Sequence, residues 1–166
     1  KKGQRFFGSS GSGSMGFGLP ASIGASIGSK KRVICFEGDG SIQMNIQELA
    51  TVSHNNLNIK IFIFSNNGYH SIRQTQRNYF SDNLVGIDSS NGLSFPDYEK
   101  ISQAYGLPYI KISNESQVDK KLSQVLSKRG PIVCEVMIDD KINYLPKVSS
   151  KRDSDGRIIS AELYDM

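Results

Sequence analysis

Five residue types in one short stretch offer the chemistry of a bound metal and a phosphate. Gly38-Asp39-Gly40-Ser41 sets a carboxylate between two glycines, and Asn66-Asn67-Gly68-Tyr69 sets an amide two residues before another glycine. Asp39 supplies a hard anionic oxygen, Asn66 a hard neutral one, and Gly68 lets the chain turn a carbonyl inward. Three oxygen ligands of low total charge suit Mg²⁺, which completes its octahedron with waters and substrate phosphates. Gly40 and Ser41 fall where a helix is expected to begin, so their N–H groups and the Ser41 hydroxyl can meet a phosphate. The pattern points to a metal-bridged diphosphate site.

These residues need neighbouring strands to meet. Val33-Ile34-Cys35-Phe36 is an apolar run that stops at Gly38, and Ile59-Lys60-Ile61-Phe62-Ile63-Phe64 is a second that stops just before Asn66. Between them, Ile42, Ile46, Leu49 and Val52 recur at helical spacing, which predicts one helix from Ile42 to Asn55. Strand, helix and strand read as a βαβ unit with parallel, adjacent strands. Asp39 and Asn66 then leave the sheet at the same carboxyl edge, where open α/β sheets bind ligands.

Further along, His70 to Phe80 has a helical cast and residues 81–95, rich in Ser, Asn, Asp and Gly, read as an irregular loop. Asp97 to Tyr105 reads as a helix stopped by Gly106. Tyr109 to Ile112 is a short strand, Glu115 to Lys128 a helix and Ile132 to Ile138 a buried strand. Four parallel strands alternating with helices predict a doubly wound, mainly parallel α/β sheet with helices on both faces. Upstream, Gly-Ser-rich residues 8–18 read as a native loop rather than an engineered linker, because Phe6-Phe7 and Met15-Gly16-Phe17-Gly18-Leu19-Pro20 flank it. Pro20 fits the first turn of a helix rich in small residues, Ala21 to Gly28, which favours close packing. Residues 1–138 are taken as one domain. Residues 139–166 are taken as a C-terminal tail packed on the domain or on a neighbouring subunit, since Ile158, Ile159, Leu163 and Tyr164 need cover.

Composition excludes several classes. At 166 residues the chain fits one domain with a full core. An apolar fraction of 37% with 22% charged is ordinary for a globular protein, and no run is apolar enough to span a membrane. The net charge of +4 is spread over Lys1-Lys2, Lys30-Lys31-Arg32, Lys120-Lys121 and Lys151-Arg152 with acids between, so solvated faces are expected rather than a nucleic-acid surface. Cys35 and Cys134 sit mid-strand in apolar company, which predicts reduced structural thiols and a cytoplasmic location. His54 is expected at the surface. The start lacks an initiator Met and any signal peptide, so a piece of a longer chain is expected.

The ordered set Gly13-Ser14-Met15-Gly16-Phe17-Gly18-Leu19-Pro20, Gly38-Asp39-Gly40, Gln47-Glu48-Leu49-Ala50-Thr51, Asn66 and Asn67-Gly68-Tyr69 resembles the diphosphate-binding domain of thiamine-diphosphate enzymes, on the acetolactate synthase and pyruvate decarboxylase branch. The resemblance covers residues 8 to about 138. It implies thiamine diphosphate and Mg²⁺ as cofactors, with Asp39, Asn66 and the Gly68 carbonyl as metal ligands and Ser41 on a phosphate oxygen. It also implies that Gly38, Gly40 and Tyr69 belong to the cofactor site. Gly13 and Ser14 would lie in the loop beneath the cofactor rings, with the Gly13 carbonyl accepting from the 4′-amino group and Met15 as the wedge that keeps the cofactor bent. The implied reaction is decarboxylation of a 2-oxo acid such as pyruvate and transfer of the remaining unit.

Two departures follow from the same resemblance. The activating glutamate belongs to a separate pyrimidine-binding domain, usually of a partner subunit, so this stretch has no catalytic residue of its own and at least a dimer is expected. Acetolactate synthases carry Gln-Trp-Gln after the metal loop where this chain has Gln74-Thr75-Gln76, which implies an altered acceptor pocket and opens a related carboligase or decarboxylase serving sugar or surface-polysaccharide synthesis. Leu145 to Lys151 resembles the tails of such enzymes. Two other classes compete. A dinucleotide-binding domain needs its Gly-x-Gly-x-x-Gly after the first strand and an acidic residue closing the second; here the glycine-rich loop precedes a helix without a clear strand before it, and no Asp or Glu closes a second strand about 20 residues on. A non-catalytic interaction domain has little use for an intact Asp39, Asn66 and Gly68.

Overall fold

The computed structural model describes residues 3–142 and 150–160. Its centre is a four-stranded, all-parallel sheet built from β1 (Val33–Gly38), β2 (Ile59–Ser65), β3 (Tyr109–Ile112) and β4 (Ile132–Met137), in the order β1-β2-β4-β3. Val33 pairs with Ile59 and Gly38 with Phe64, so β1 and β2 end side by side. Asp39 and Asn66 are therefore carried off one edge, as the βαβ reading requires.

Helices α1 (Gly18–Ser29), α2 (Asp39–Ile42), α3 (Leu49–His54), α4 (His70–Tyr79), α5 (Tyr98–Ala104) and α6 (Val118–Ser127) connect and cover the strands. On one face Leu19, Ile23, Ile42, Leu49, Val52 and Tyr98 close over Cys35, Ile59, Ile61, Ile63 and Val133. On the other, Val125 of α6 packs with Phe62, Ile112, Ile132 and Cys134. β2, buried along nearly its whole length, is apolar from Ile59 to Phe64 except at Lys60 because helices lie on both sides of it. The doubly wound α/β architecture is thus the one expected.

Two regions differ from expectation. The segment from Ile42 to Asn55 is not one helix: a 3₁₀ stretch, Gln43–Glu48, separates α2 from α3, and Asn45 has non-helical φ −138°, ψ 33°. In the expected tail, Ser150–Arg152 (β5) and Ile158–Ser160 (β6) form an antiparallel hairpin, with Asp153 Oδ1 accepting from Asp155 N and Arg157 N at its turn. Ile158 and Ile159 are exposed. Leu163 and Tyr164, like residues 143–149, lie outside the described residues.

Polar groups in the sheet are paired. Lys60, wholly buried, donates from Nζ to Asn58 Oδ1 at 2.8 Å, to the Lys128 carbonyl at 2.6 Å and to the Gly130 carbonyl at 2.5 Å, so it closes the end of α6 onto β2. Glu135 accepts from Ser65 Oγ at 2.6 Å and from the Tyr109 hydroxyl, with Lys111 Nζ at 3.4 Å. That network fixes Ser65, the residue before Asn66.

Cys35 and Cys134 are buried free thiols, and burial pushes both up to about 11. The thiolate is the reactive form, and its fraction at pH 8 falls about a hundredfold when the pKa rises from 9 to 11. Both cysteines should therefore react with iodoacetamide at pH 8 at least about a hundredfold more slowly than in urea-unfolded protein, measured by mass spectrometry of quenched samples. Labelling at the unfolded rate would contradict their placement.

Candidate functional site

The site begins with Asp39, only 2% exposed. Its Oδ2 accepts from Asn66 N at 3.0 Å and Gly68 N at 3.2 Å, and its Oδ1 from Gly40 N at 2.7 Å. Its own carbonyl accepts from the Tyr98 hydroxyl at 2.5 Å. Burial pushes the Asp39 carboxyl above the ordinary carboxylate range, and these N–H donors oppose that rise. A carboxylate held away from water in this way is stabilised by a cation.

Beside it, Asn66 Oδ1 is buried and has no hydrogen-bond partner among the described residues. Buried amide oxygens are nearly always bonded, and this one belongs to the residue whose backbone N–H donates to the Asp39 carboxylate, so it is free to meet a cation or a donor there. Gly68 has φ +146°, and a Cβ there would collide with the Ile87 carbonyl oxygen and lie 2.7 Å from Arg73 Nη2. Gly40 has no more room, because a Cβ there would run into the ring of Tyr69. Tyr69 in turn donates its N–H to the Ile87 carbonyl at 2.9 Å and meets Phe95 edge-on at 6.4 Å.

The turn after β2 is held from beneath by a residue that sequence reasoning did not single out. Arg73 of α4, 1% exposed, donates to the Asn66 carbonyl at 3.3 Å, the Asn67 carbonyl at 2.7 Å and Asp88 Oδ2 at 3.4 Å. Asp88 is oriented by Ser90 and Asn91 within the 81–95 loop. Ser90 and Arg73 hold its carboxyl below the usual range despite its burial. The signal was present: His70, Arg73, Gln74 and Arg77 share one helical face, an unusual polar stripe for a helix whose His70, Arg73 and Gln74 are buried. Tyr98 left no comparable signal.

Ser41 Oγ accepts from Gly16 N at 2.9 Å, which leaves its hydroxyl proton for another acceptor. That bond brings the glycine-rich loop to the Asp39 arm. Gly13, Ser14 and Met15 precede the junction as an exposed strip, with Gly13 in a left-handed turn at φ +58°. Asp39, Gly40, Ser41, Asn66, Gly68 and Tyr69 are thus assembled at one edge with Gly38, whereas Gly13 to Met15 are linked to it through the residues that follow them, beginning with Gly16. A cleft of about 270 Å³ opens beside Asn66, lined by Phe64, His70, Ile138 and Ile142. Burial and the nearby Arg73 guanidinium hold the His70 pKa below its ordinary value.

The family described as thiamine pyrophosphate enzyme, C-terminal TPP binding domain, matches residues 1–136. The chain belongs to this family. It is 36% identical over 141 residues to the acetolactate synthase isozyme 1 large subunit of Escherichia coli (strain K12), covering 84% of the chain and 25% of that protein. It is 33% identical over 146 residues to the acetolactate synthase large subunit of Cyanidium caldarium, covering 87% of the chain and 25% of that protein. Against the chloroplastic acetolactate synthase 2 of Zea mays, 96% of the chain aligns at 29% identity with 27% of that protein. The chain spans about a quarter of the length of the curated relatives it matches. As a TPP-binding domain it derives from a thiamine-dependent enzyme family, and the parallel sheet with helices on both faces is the fold to be expected of it. Among the described residues no helix is long and apolar enough to cross a membrane.

Proposed function

We propose that this TPP-binding domain holds the diphosphate of thiamine diphosphate through Mg²⁺, within a 2-oxo-acid carboligase or decarboxylase most similar to acetolactate synthase. The observation that carries the reading is the buried, unpartnered Oδ1 of Asn66, a residue whose backbone N–H donates to the Asp39 carboxylate. Those two oxygens fit a hard divalent cation in number and kind, and the Gly68 carbonyl completes the protein's share. Asp39 supplies the negative charge and Asn66 a neutral oxygen. Backbone N–H groups on Asp39 and Arg73 on the Asn66 and Asn67 carbonyls keep this edge in place before the cation arrives.

The Ser41 hydroxyl, whose proton is left over from the bond to Gly16, would donate a hydrogen bond to a phosphate oxygen. Gly38, Gly40 and Tyr69 form the floor, where a larger residue at position 40 would push Tyr69 out of place. Gly13, Ser14 and Met15 would hold the ring end of the cofactor. When bound, thiamine diphosphate supplies the carbanion chemistry that decarboxylates a 2-oxo acid and passes its remaining unit to an acceptor. The proton-moving glutamate comes from a pyrimidine-binding domain outside these residues, in a partner subunit, so the enzyme is at least a dimer and the 166-residue chain alone does not turn over. The buried reduced thiols suit a cytoplasmic enzyme.

The test is CO₂ release from pyruvate with thiamine diphosphate and Mg²⁺. The full-length protein should release it at a steady rate and the 166-residue chain should not. Turnover by the isolated chain would overturn the missing-glutamate reading. Inactivity of the full-length protein on pyruvate, with activity on another 2-oxo acid, would keep the domain's role and change the substrate.

A further inference from the structure

We infer that Glu37, Ser41 and Asn45 form a clamp that fixes the glycine-rich loop to the metal-bearing arm, and that Glu37 and Asn45 are positioning residues for the ring end of the cofactor. The inference rests on the function proposed above. It starts from Gly16, whose backbone polar atoms are both used by one stretch of chain: its N–H donates to Ser41 Oγ at 2.9 Å and its carbonyl accepts from Asn45 Nδ2 at 2.8 Å. Gln47 Nε2 donates to Asn45 Oδ1 at 3.3 Å, which orients the Asn45 amide with its nitrogen toward Gly16. Contact is close enough that a Cβ on Gly16 would lie 2.7 Å from Met44 Cβ and 2.8 Å from Asn45 Nδ2, and φ there is +77°.

Asn45 is also where the expected helix breaks. Nothing in the local pattern calls for a break, since Ile42, Ile46, Leu49 and Val52 continue the helical stripe. The departure is compensated by the bond to Gly16. Two residues further on, α1 begins with no side-chain cap from Phe17. Its first N–H groups are met instead from the neighbouring strand: Glu37 Oε1 accepts from Gly18 N at 2.6 Å and Leu19 N at 3.3 Å. Helix starts leave such donors open, and a carboxylate also suits the positive end of the helix. Glu37 is buried and lies two residues before Asp39. Residues 37–45 thus carry Asp39 and three anchors for residues 16–19, the end of the loop bearing Gly13 to Met15. One short stretch sets the spacing between the diphosphate end and the ring end.

Inorganic pyrophosphate with Mg²⁺ reads the diphosphate end alone, and thiamine diphosphate with Mg²⁺ reads both. In the full-length enzyme, calorimetry on Asn45→Ala should show thiamine diphosphate affinity reduced about tenfold, the scale of one structural hydrogen bond left unmade, with pyrophosphate affinity within about twofold of wild type. Asn45→Asp, nearly identical in shape but with an oxygen facing the Gly16 carbonyl, should give the same selective loss and reads the clamp even if Asn45→Ala folds poorly. Glu37→Gln, which keeps an acceptor for Gly18 and Leu19, should retain more thiamine diphosphate affinity than Glu37→Ala. Equal loss of both ligands in the two Asn45 variants, or loss of neither, overturns the clamp. Wild-type protein that fails to bind pyrophosphate with Mg²⁺ overturns the diphosphate site itself, a result distinct from either.

Discussion

Asp39→Ala in the full-length enzyme should lower thiamine diphosphate affinity in Mg²⁺ by more than about 100-fold, because it removes a direct ligand where even outer partners of a metal site cost 10–100-fold. The folded protein should survive. Removing the carboxylate leaves Gly40 N, Asn66 N and Gly68 N without their acceptor, at about 1–3 kcal/mol for each buried group left unsatisfied. It also relieves the desolvation of a charge that burial disfavours, the same burial that pushes the Asp39 carboxyl above the ordinary carboxylate range. These two effects oppose each other, so the metal-free variant should melt within a few degrees of wild type. Asp39→Asn, which keeps the shape and drops the charge, should lose metal-dependent binding to a similar degree. Calorimetric titration checks both variants, and near-normal binding by either would remove Asp39 from the metal site.

Gly68→Ala is expected to be the most destabilising small change in the chain. Its Cβ would enter the Ile87 carbonyl and crowd Arg73 Nη2, and φ +146° is a backbone region that L side chains rarely adopt. The neighbours are backbone and a buried guanidinium that also holds Asn66 and Asn67, so relief requires the 86–91 turn to move and the Tyr69 N–H to leave Ile87. Overpacking and strain of this kind cost about 3 kcal/mol or more together. Gly24→Ala gives the contrast: that helical glycine of α1 has open space where the Cβ would sit, and alanine should stabilise by about 0.5–1 kcal/mol. Urea denaturation of the two variants should move the midpoint in opposite directions. A Gly68→Ala protein as stable as wild type would mean that the Ile87 turn is not packed as described.

The framework of the site was legible because it depends on local signals. Apolar runs ending at Gly38 and just before Asn66, joined by a helical stripe, are sufficient to demand adjacent parallel strands, and the Gly38–Phe64 pairing has that register. Buried Cys35 and Cys134 and the α5 start at Asp97, whose side chain accepts from Lys100 N, follow from equally local patterns. What escaped the sequence is held by long-range bonds. The break at Asn45 is set by Gly16, 29 residues earlier. The polar stripe of α4 marks Arg73 as unusual, but its partner Asp88 shows only when the 86–91 turn folds back onto it, and Glu37 caps a helix 19 positions upstream. The β5–β6 hairpin is too short and too weakly alternating for periodicity to reveal. Position of β4 between β2 and β3 likewise depends on packing rather than on any motif.

The central claim is that Asp39, Asn66 and Gly68 bind a diphosphate through a divalent cation. The most direct measurement is the thermal stability of the full-length wild-type protein with thiamine diphosphate alone, with Mg²⁺ alone and with both. At about 100 times the dissociation constant, bound cofactor should add roughly 2.7 kcal/mol, seen as an upward shift that requires both components and disappears on chelation. A shift of equal size with the cofactor in the presence of chelator would contradict the metal bridge, and no shift at millimolar cofactor with Mg²⁺ would contradict the site.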